Sequence, residues 1–205
     1  MSKFGFGFIS SGVVPYVGWD PSGSPMSVTT DAGTGANSDA GVPSGSQWRS
    51  AKAALGRSSG KWYWEILLQN SFASNAILGL MDSAASIAAG NYPGLVPKSV
   101  GMRDVGSFVN GWTINAAGAI GGTDVSGTVY MFAIDIDASK VWVGKGGTWF
   151  SSGNPAGGGS QWATINSSPV FPAAGLFQVG NLRLRTLSGQ MSYSPPSGFT
   201  PWAGG

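Results

Sequence analysis

The chain has 205 residues, among them 34 Gly, 12 Pro and 9 Trp, and eleven Lys and Arg against nine Asp and Glu leave a net charge of +2. It contains neither His nor Cys, which excludes imidazole catalysis, Ser-His-Asp triads, thiol nucleophiles, disulfides and metal sites built on His or thiolate. Only 10% of residues are charged, no Lys/Arg cluster marks a nucleic-acid partner, and no uncharged stretch is apolar enough to read as a membrane span.

A hydrophobic content of 42% with 12% aromatics points to a folded, turn-rich chain, and its length fits one domain with trimmings or at most two small ones. Residues 1–26 alternate Phe4, Phe6 and Phe8 with Gly5 and Gly7 and then break at Pro15, Pro21 and Pro25. This reads as an arm. Extended, its three rings share one face with Gly5 and Gly7 opposite. Such an arm covers a sheet edge of its own domain or adds to a neighbour. The charge-poor surface favours the neighbour. The apolar run Phe4–Ile9 is too short for a signal-peptide core. Residues 31–46 read as a loop, and the expected organisation is an arm at 1–26, a domain at 27–202 and a tail at 203–205.

Strand signals begin at Lys61. Over 61–69, Trp62, Trp64, Ile66 and Leu68 share one face, and Tyr63, Glu65, Leu67 and Gln69 the other. Further strands are expected at 76–81, 98–103 and 106–109. Asn110-Gly111 predicts a two-residue hairpin with 112–116 as the returning strand. Residues 129–136 alternate again, 137–140 turn, and 141–143 and 148–150 follow, with a Gly-rich loop over 151–160. The last expected strands are 170–176, 179–186 and 190–193, before an extended tail at 195–202. Helical flavour is confined to 83–89. Many short strands at close spacing predict an all-β, two-sheet antiparallel β-sandwich.

The order of these segments resembles the SPRY domain. Ser59–Ile66 is similar to its opening strand and Ala76–Leu80 to its second. Asn91-Tyr-Pro-Gly94 followed by Ser99–Arg103 resembles its tyrosine-glycine loop and next strand. Phe132–Asp137 with Lys140–Gly147 resembles its "DLD…LWF…NG" hairpin, and Gly153–Ala156 and Val170–Ala173 fit the two elements after it. Tyr193–Phe199 looks like the end of SPRY-like proteins from tailed-phage genomes. One departure is Thr186-Leu-Ser-Gly189, where the family often carries Asn-Phe-Gly. The resemblance covers roughly 47–202 and implies a concanavalin-like, SPRY-like jelly roll that binds with its loops.

Candidate chemistry is sparse. Glu65, Asp135 and Asp137 are the acids near strand centres. A single Glu rules out the Glu-x-Asp-x-x-Glu strand of some sugar-cleaving sandwiches, so structural roles are expected for all three. The loop Gly153–Gly159 lacks the following helix and Lys of a phosphate cradle. Were it ordered, some contact would have to hold it. Arg183 and Arg185 share a strand face, read first as two arginines on a solvated strand and second as a contact for phosphate or a carboxylate. Trp62, Trp64 and Trp142 are expected in the core, while Trp48, Trp112, Trp149 and Trp162 lie near turns or loops, where packing onto the sandwich is the first expectation for each ring and a binding surface the second. The resemblance makes Tyr92, Trp112 and Trp149, with Asn154, the candidate binding rim, and Phe4, Phe6 and Phe8 the assembly arm.

Taken together, the resemblance and the scarcity of charge imply a non-enzymatic virion protein of a tailed phage, made in the host cytoplasm. It would decorate the capsid or belong to the tail or a fibre. No cofactor, metal, nucleic acid or membrane is expected; the partners are other virion proteins and copies of itself, with a host-surface glycan or protein as a further partner. The alternatives are a lectin-like adhesin and a SPRY module acting on host proteins inside the cell.

Overall fold

The computed structural model describes residues 16–30, 38–42, 47–70, 75–103, 106–116, 118, 124–178 and 180–204. Among them the strands are β1 (Ser27–Thr30), β2 (Ser38–Val42), β3 (Arg49–Lys52), β4 (Lys61–Leu68), β5 (Ala76–Asp82), β6 (Ser99–Arg103), β7 (Gly106–Asn110), β8 (Thr113–Ile114), β9 (Val129–Asp135), β10 (Lys140–Lys145), β11 (Thr148–Trp149), β12 (Ala163–Thr164), β13 (Val170–Leu176), β14 (Gly180–Arg185) and β15 (Thr200–Pro201). They form two sheets. The larger runs β1-β2-β14-β4-β9-β10-β12-β8, with β11 on β10 and β15 on β4; the smaller runs β3-β13-β5-β6-β7. Every pairing is antiparallel except β15 on β4.

Period-two alternation decides which face each residue covers. In β4, Trp64, Ile66 and Leu68 point between the sheets, joining Phe132 and Ile134 of β9, Leu78 and Leu80 of β5, and Val100 of β6 in one central core. Trp64 stacks on Phe132 at 5.1 Å and meets Trp202 edge-on at 5.0 Å. The opposite face of the larger sheet is also buried. There Tyr63, Met131, Trp142 and Phe199 form a second cluster, with Trp149, Met191 and Tyr193 packed against it. Trp142 is therefore buried as expected, but on the outer side.

The outer face of the smaller sheet carries the segment 83–98. Its helical flavour does not develop; the chain runs as turns and bends. Glycines make the close seating possible. A Cβ at Gly101 would lie 2.4 Å from the Pro93 carbonyl oxygen, and one at Gly175 would lie 2.8 Å from Tyr92 Cβ. Lys52 pins the start of the segment, donating to the carbonyls of Ser83 and Ala85 at 3.1 Å each. Buried Asp82 accepts from Ala84 N–H at 2.8 Å and Ser83 Oγ at 3.3 Å. Burial alone pushes the Asp82 carboxyl up. Hydrogen bonds from Ala84, Ser167 and Ser83 and the charge of Lys98 together outweigh it and hold the pKa below the ordinary 3.8. A depressed carboxyl contributes stability above its unfolded pKa and loses it as pH falls through the folded value. Asp82→Asn should therefore lower the urea midpoint at neutral pH and flatten its decline below about pH 4. Parallel acid limbs in the two proteins would contradict this role.

Several expectations change. Asn110-Gly111 does turn, with Gly111 at φ +77°, but β7 and β8 do not pair as a hairpin. Instead β8 crosses to the larger sheet and pairs β12, which buries Trp112 at the corner. The strand expected at 190–193 is replaced by a 3-10 turn at Ser188–Gln190 and irregular chain, and residues 38–42 of the expected loop are a strand. Of the arm, Phe4, Phe6 and Phe8 lie outside the described residues. Residues 16–26 pack on the sandwich: Trp19 is 1% exposed, and backbone bonds from Asp20 N–H to the Lys52 carbonyl and from Ala54 N–H to the Gly18 carbonyl, 2.8 Å each, flank β3. Val17, Trp19 and Met26 supply apolar bulk that the small residues of β3 do not.

Candidate functional site

The acids resolve first, because catalysis would have to start from them. Glu65 is fully buried on the outer face of β4. Its Oε1 accepts from Tyr63 Oη at 2.9 Å and Tyr193 N–H at 2.8 Å; its Oε2 accepts from Ser192 N–H at 2.8 Å and faces Arg185 at 3.4 Å. Burial, and then the Glu65 charge, push the Tyr63 phenol far up, so its proton stays in place to donate. This cluster fastens the chain after β14 back onto the larger sheet. Asp135 ends β9, pairs Lys61 at 3.1 Å and accepts from Ala138 N–H at 3.0 Å. Asp137 accepts from Gly60 N–H at 3.1 Å, across the chain rather than within its own turn. Each of the three carboxylates is thus engaged in holding backbone. Asp124, buried, is bound by Tyr130 Oη at 2.8 Å and Lys145 at 2.9 Å. Among the described residues no three His, Cys, Asp or Glu converge as a metal site.

The arginines depart from a solvated face. Arg183 forms a two-pronged pair with Asp39 at 2.8 and 3.0 Å, and Arg185 reaches buried Glu65 and Ser192. The sequence hides this because Asp39 is 144 residues away and Glu65 lies on a different strand.

The expected rim residues fall in three places. Tyr92, half-buried, lies on the outer face of the smaller sheet, 4.6 Å from Trp48 and 6.3 Å from Phe108 between ring centroids. Trp48 continues to Phe177 at 5.5 Å, and the Arg103 guanidinium stands 5.1 Å over Phe108. Leu95, 44% exposed, follows Tyr92 by three residues in the same loop; its N–H donates to the Tyr92 carbonyl at 3.1 Å and its carbonyl accepts from Asn110 Nδ2 at 2.6 Å. Trp112 is buried, its Nε1 donating to Ser167 Oγ at 3.2 Å. Trp162 is buried beside the same corner, its Nε1 donating to Ser107 Oγ at 3.0 Å. Trp149 sits over the larger sheet, edge-on to Tyr63 at 6.4 Å. Tyr92 and Trp149 thus occupy opposite faces of the sandwich. Trp48, Phe108 and Phe177 join Tyr92 unannounced, since no periodicity links four segments that only the smaller sheet brings together.

Asn154 stands in the Gly-rich loop, which is ordered by contacts outside it. Lys140 Nζ donates to the Gly158 carbonyl at 2.6 Å and Trp142 Nε1 to the Gly159 carbonyl at 2.8 Å. Within the loop, Asn154 and Gly159 exchange backbone bonds of 3.1 and 3.2 Å, and Asn154 Oδ1 accepts from Gly157 N–H at 2.9 Å. Serines flanking the loop are in the left-handed region: Ser151 at φ 52°, Ser152 at 56° and Ser160 at 51°. Such conformations cost a non-glycine residue roughly 1–3 kcal/mol each.

No family model matches the sequence, and no curated protein does. Among solved structures the fold is similar to the SPRY domain of human HERC1, with a TM-score of 0.57 and 12% identity over 83% of this chain and 98% of that one. The likeness shows the fold, a two-sheet β-sandwich of the kind found in SPRY domains.

Proposed function

We propose that this chain is a non-enzymatic binding module that makes protein–protein contacts, and that it serves as a structural or accessory component of a tailed-phage particle, on the capsid or at the tail or a fibre. The observation that carries the binding reading is the half-exposed group Trp48, Tyr92, Phe108 and Phe177, with exposed Leu95 three residues after Tyr92 in the same loop. Large rings with an arginine beside them are what protein interfaces concentrate. Support for the particle comes from the scarcity of charge, from the Tyr193–Phe199 pattern, and from the Phe-Gly arm.

Two measurements test it. Mass spectrometry of purified particles should find the chain in many copies; its absence sinks the virion reading. Leu95→Arg should then separate binding from folding. Leu95 is exposed, so the variant should melt like wild type, while its incorporation falls by about tenfold or more if the patch is an interface centre. Undiminished incorporation would remove the patch from the interface.

The arm is the second proposed contact. Because Trp19 is buried, the informative truncation is 2–15. Deleting 2–15 should leave the melting temperature nearly unchanged and abolish assembly, whereas deleting 2–20 also removes Trp19 and should cost about 3–5 kcal/mol of stability. A 2–15 deletion that still assembles normally would show that Phe4, Phe6 and Phe8 are not the anchor.

A further inference from the structure

The cleft beside the Gly-rich loop has an uncharged, polar lining. Its volume is about 290 Å³, and Asn115, Ala116, Ser151, Ser160 and Gln161 line it. None of these side chains is charged, and the whole stretch Gly146–Leu182 lacks charge. The Lys140 ammonium, which reaches the loop from β10, is committed to the Gly158 carbonyl at 2.6 Å. Asn115 Oδ1 accepts from Thr164 Oγ1 at 2.7 Å, which fixes the amide and leaves its Nδ2 without a partner among the described residues. The hydroxyls of Ser151 and Ser160 and the amide of Gln161 likewise have no partner among the described residues.

Rigid supports hold these groups. Asn115 and Ala116 both donate from their backbones to the Trp162 carbonyl, at 2.8 and 3.1 Å. Gly159, directly before Ser160, is held by Trp142 and by Asn154. Ser151 and Ser160 keep a left-handed backbone where glycine would fit without strain. The chain retains a hydroxyl at both strained positions that line the cleft, and strain of this kind concentrates at sites with a task.

We infer that this cleft binds one neutral sugar residue of a glycan. A pyranose carries hydroxyls around its ring, each both donor and acceptor, and the serine hydroxyls and carboxamides are matched to that dual role. The absence of a charged lining side chain disfavours phosphorylated, sulfated or sialylated ligands. A peptide would need an apolar anchor pocket to be held in the cleft, and among the described residues Ala116 is the one apolar side chain lining it. Because the supports are built in, little ordering is needed on binding. An open polar site of this size binds a single sugar weakly, and several copies on one assembly raise the avidity. This inference does not rest on the protein-interface reading, since the cleft and the Tyr92 group share no residue.

The full-length chain, isotope-labelled, is titrated to millimolar concentrations with glucose, galactose, mannose, N-acetylglucosamine and their disaccharides, and followed by amide NMR. At least one sugar should shift the resonances of Asn115, Ser151, Ser160 and Gln161 in a saturable way. The double variant Ser160→Ala, Gln161→Ala should weaken that binding by about tenfold or more with an unchanged melting temperature. A second variant, Ser151→Gly, relaxes the backbone while removing its hydroxyl; it should be more stable yet bind less well. The inference is overturned if none of these sugars shifts the site, or if the double variant binds as wild type does. Sialyllactose bound as tightly as the neutral sugars, or a Ser/Asn-rich peptide displacing them at equal concentration, would also overturn it.

Discussion

Glu65→Ala is expected to lose about 3–5 kcal/mol of stability, as when one partner of a buried charged pair is removed. At roughly 2–4 °C per kcal/mol for a domain of this size, the melting temperature should fall by about 6–20 °C. The reason is the number of groups that converge on one carboxylate. Tyr63 Oη and the N–H groups of Ser192 and Tyr193 all donate to it at 2.8–2.9 Å, with Arg185 alongside. Alanine would leave these donors unpaired in a buried setting, and an unmade buried bond costs about 1–3 kcal/mol. Glu65→Gln is the sharper variant. Its shape is kept, but one acceptor oxygen becomes an NH2 that faces donors only, so an intermediate loss is expected. Hydrogen exchange should locate the damage: amides in 190–203 should exchange faster, while β5 and β6 remain protected. Equal exchange in that segment for wild type and Glu65→Ala would show that the carboxylate does not fasten it.

The second large effect is at Trp64. Trp64→Ala should cost about 3–5 kcal/mol, the range for large aromatic truncations in cores, out of a total of about 5–15 kcal/mol for a typical protein. The ring is fully buried between Phe132 and Trp202. Its removal therefore empties the junction at which β4, β9 and the chain after β15 meet. Trp64 Nε1 is buried without a hydrogen-bond partner among the described residues, so there the indole contributes bulk and stacking. Trp64→Phe should for that reason lose markedly less than Trp64→Ala. Equal urea midpoints for Trp64→Ala and wild type would place the ring outside the core.

These two positions also divide what is readable from what is not. Period-two alternation over 61–68 put Trp64 and Glu65 on opposite faces, as they are. Both faces of the strand turned out to be buried, and alternation cannot reveal that. It reports which residues share a side, but not whether a later segment covers the second side. The covering segment, 190–203, carries a strand signal only at 190–193, which the fold does not keep, and it is held by backbone N–H groups whose partner lies some 127 residues earlier. The loop tryptophans followed the same logic. Trp112 and Trp162 differ from Trp48 and Trp149 in burial, and nothing in their local neighbours distinguishes the pairs.

The all-β class, the positions of the long strands β4, β5, β9, β10 and β13, and the absence of His and thiol chemistry were determined by the sequence alone. They follow from composition and from a repeat of two, both of which are local properties. Tertiary structure alone decided that Asn110-Gly111 turns a corner between sheets, because a turn sets the direction of the chain but the partner strand must come from β12. It also decided that Val17, Trp19 and Met26 belong to the core and that the Gly-rich loop is ordered. Trp19 has no periodic context, and the loop is held by Lys140 and Trp142 on β10, a different element. The aromatic group around Tyr92 and the neutral cleft around Gln161 were decided in the same way. Each gathers side chains from separate segments, and their proximity depends on packing energies summed over the whole sandwich rather than on any one stretch of chain.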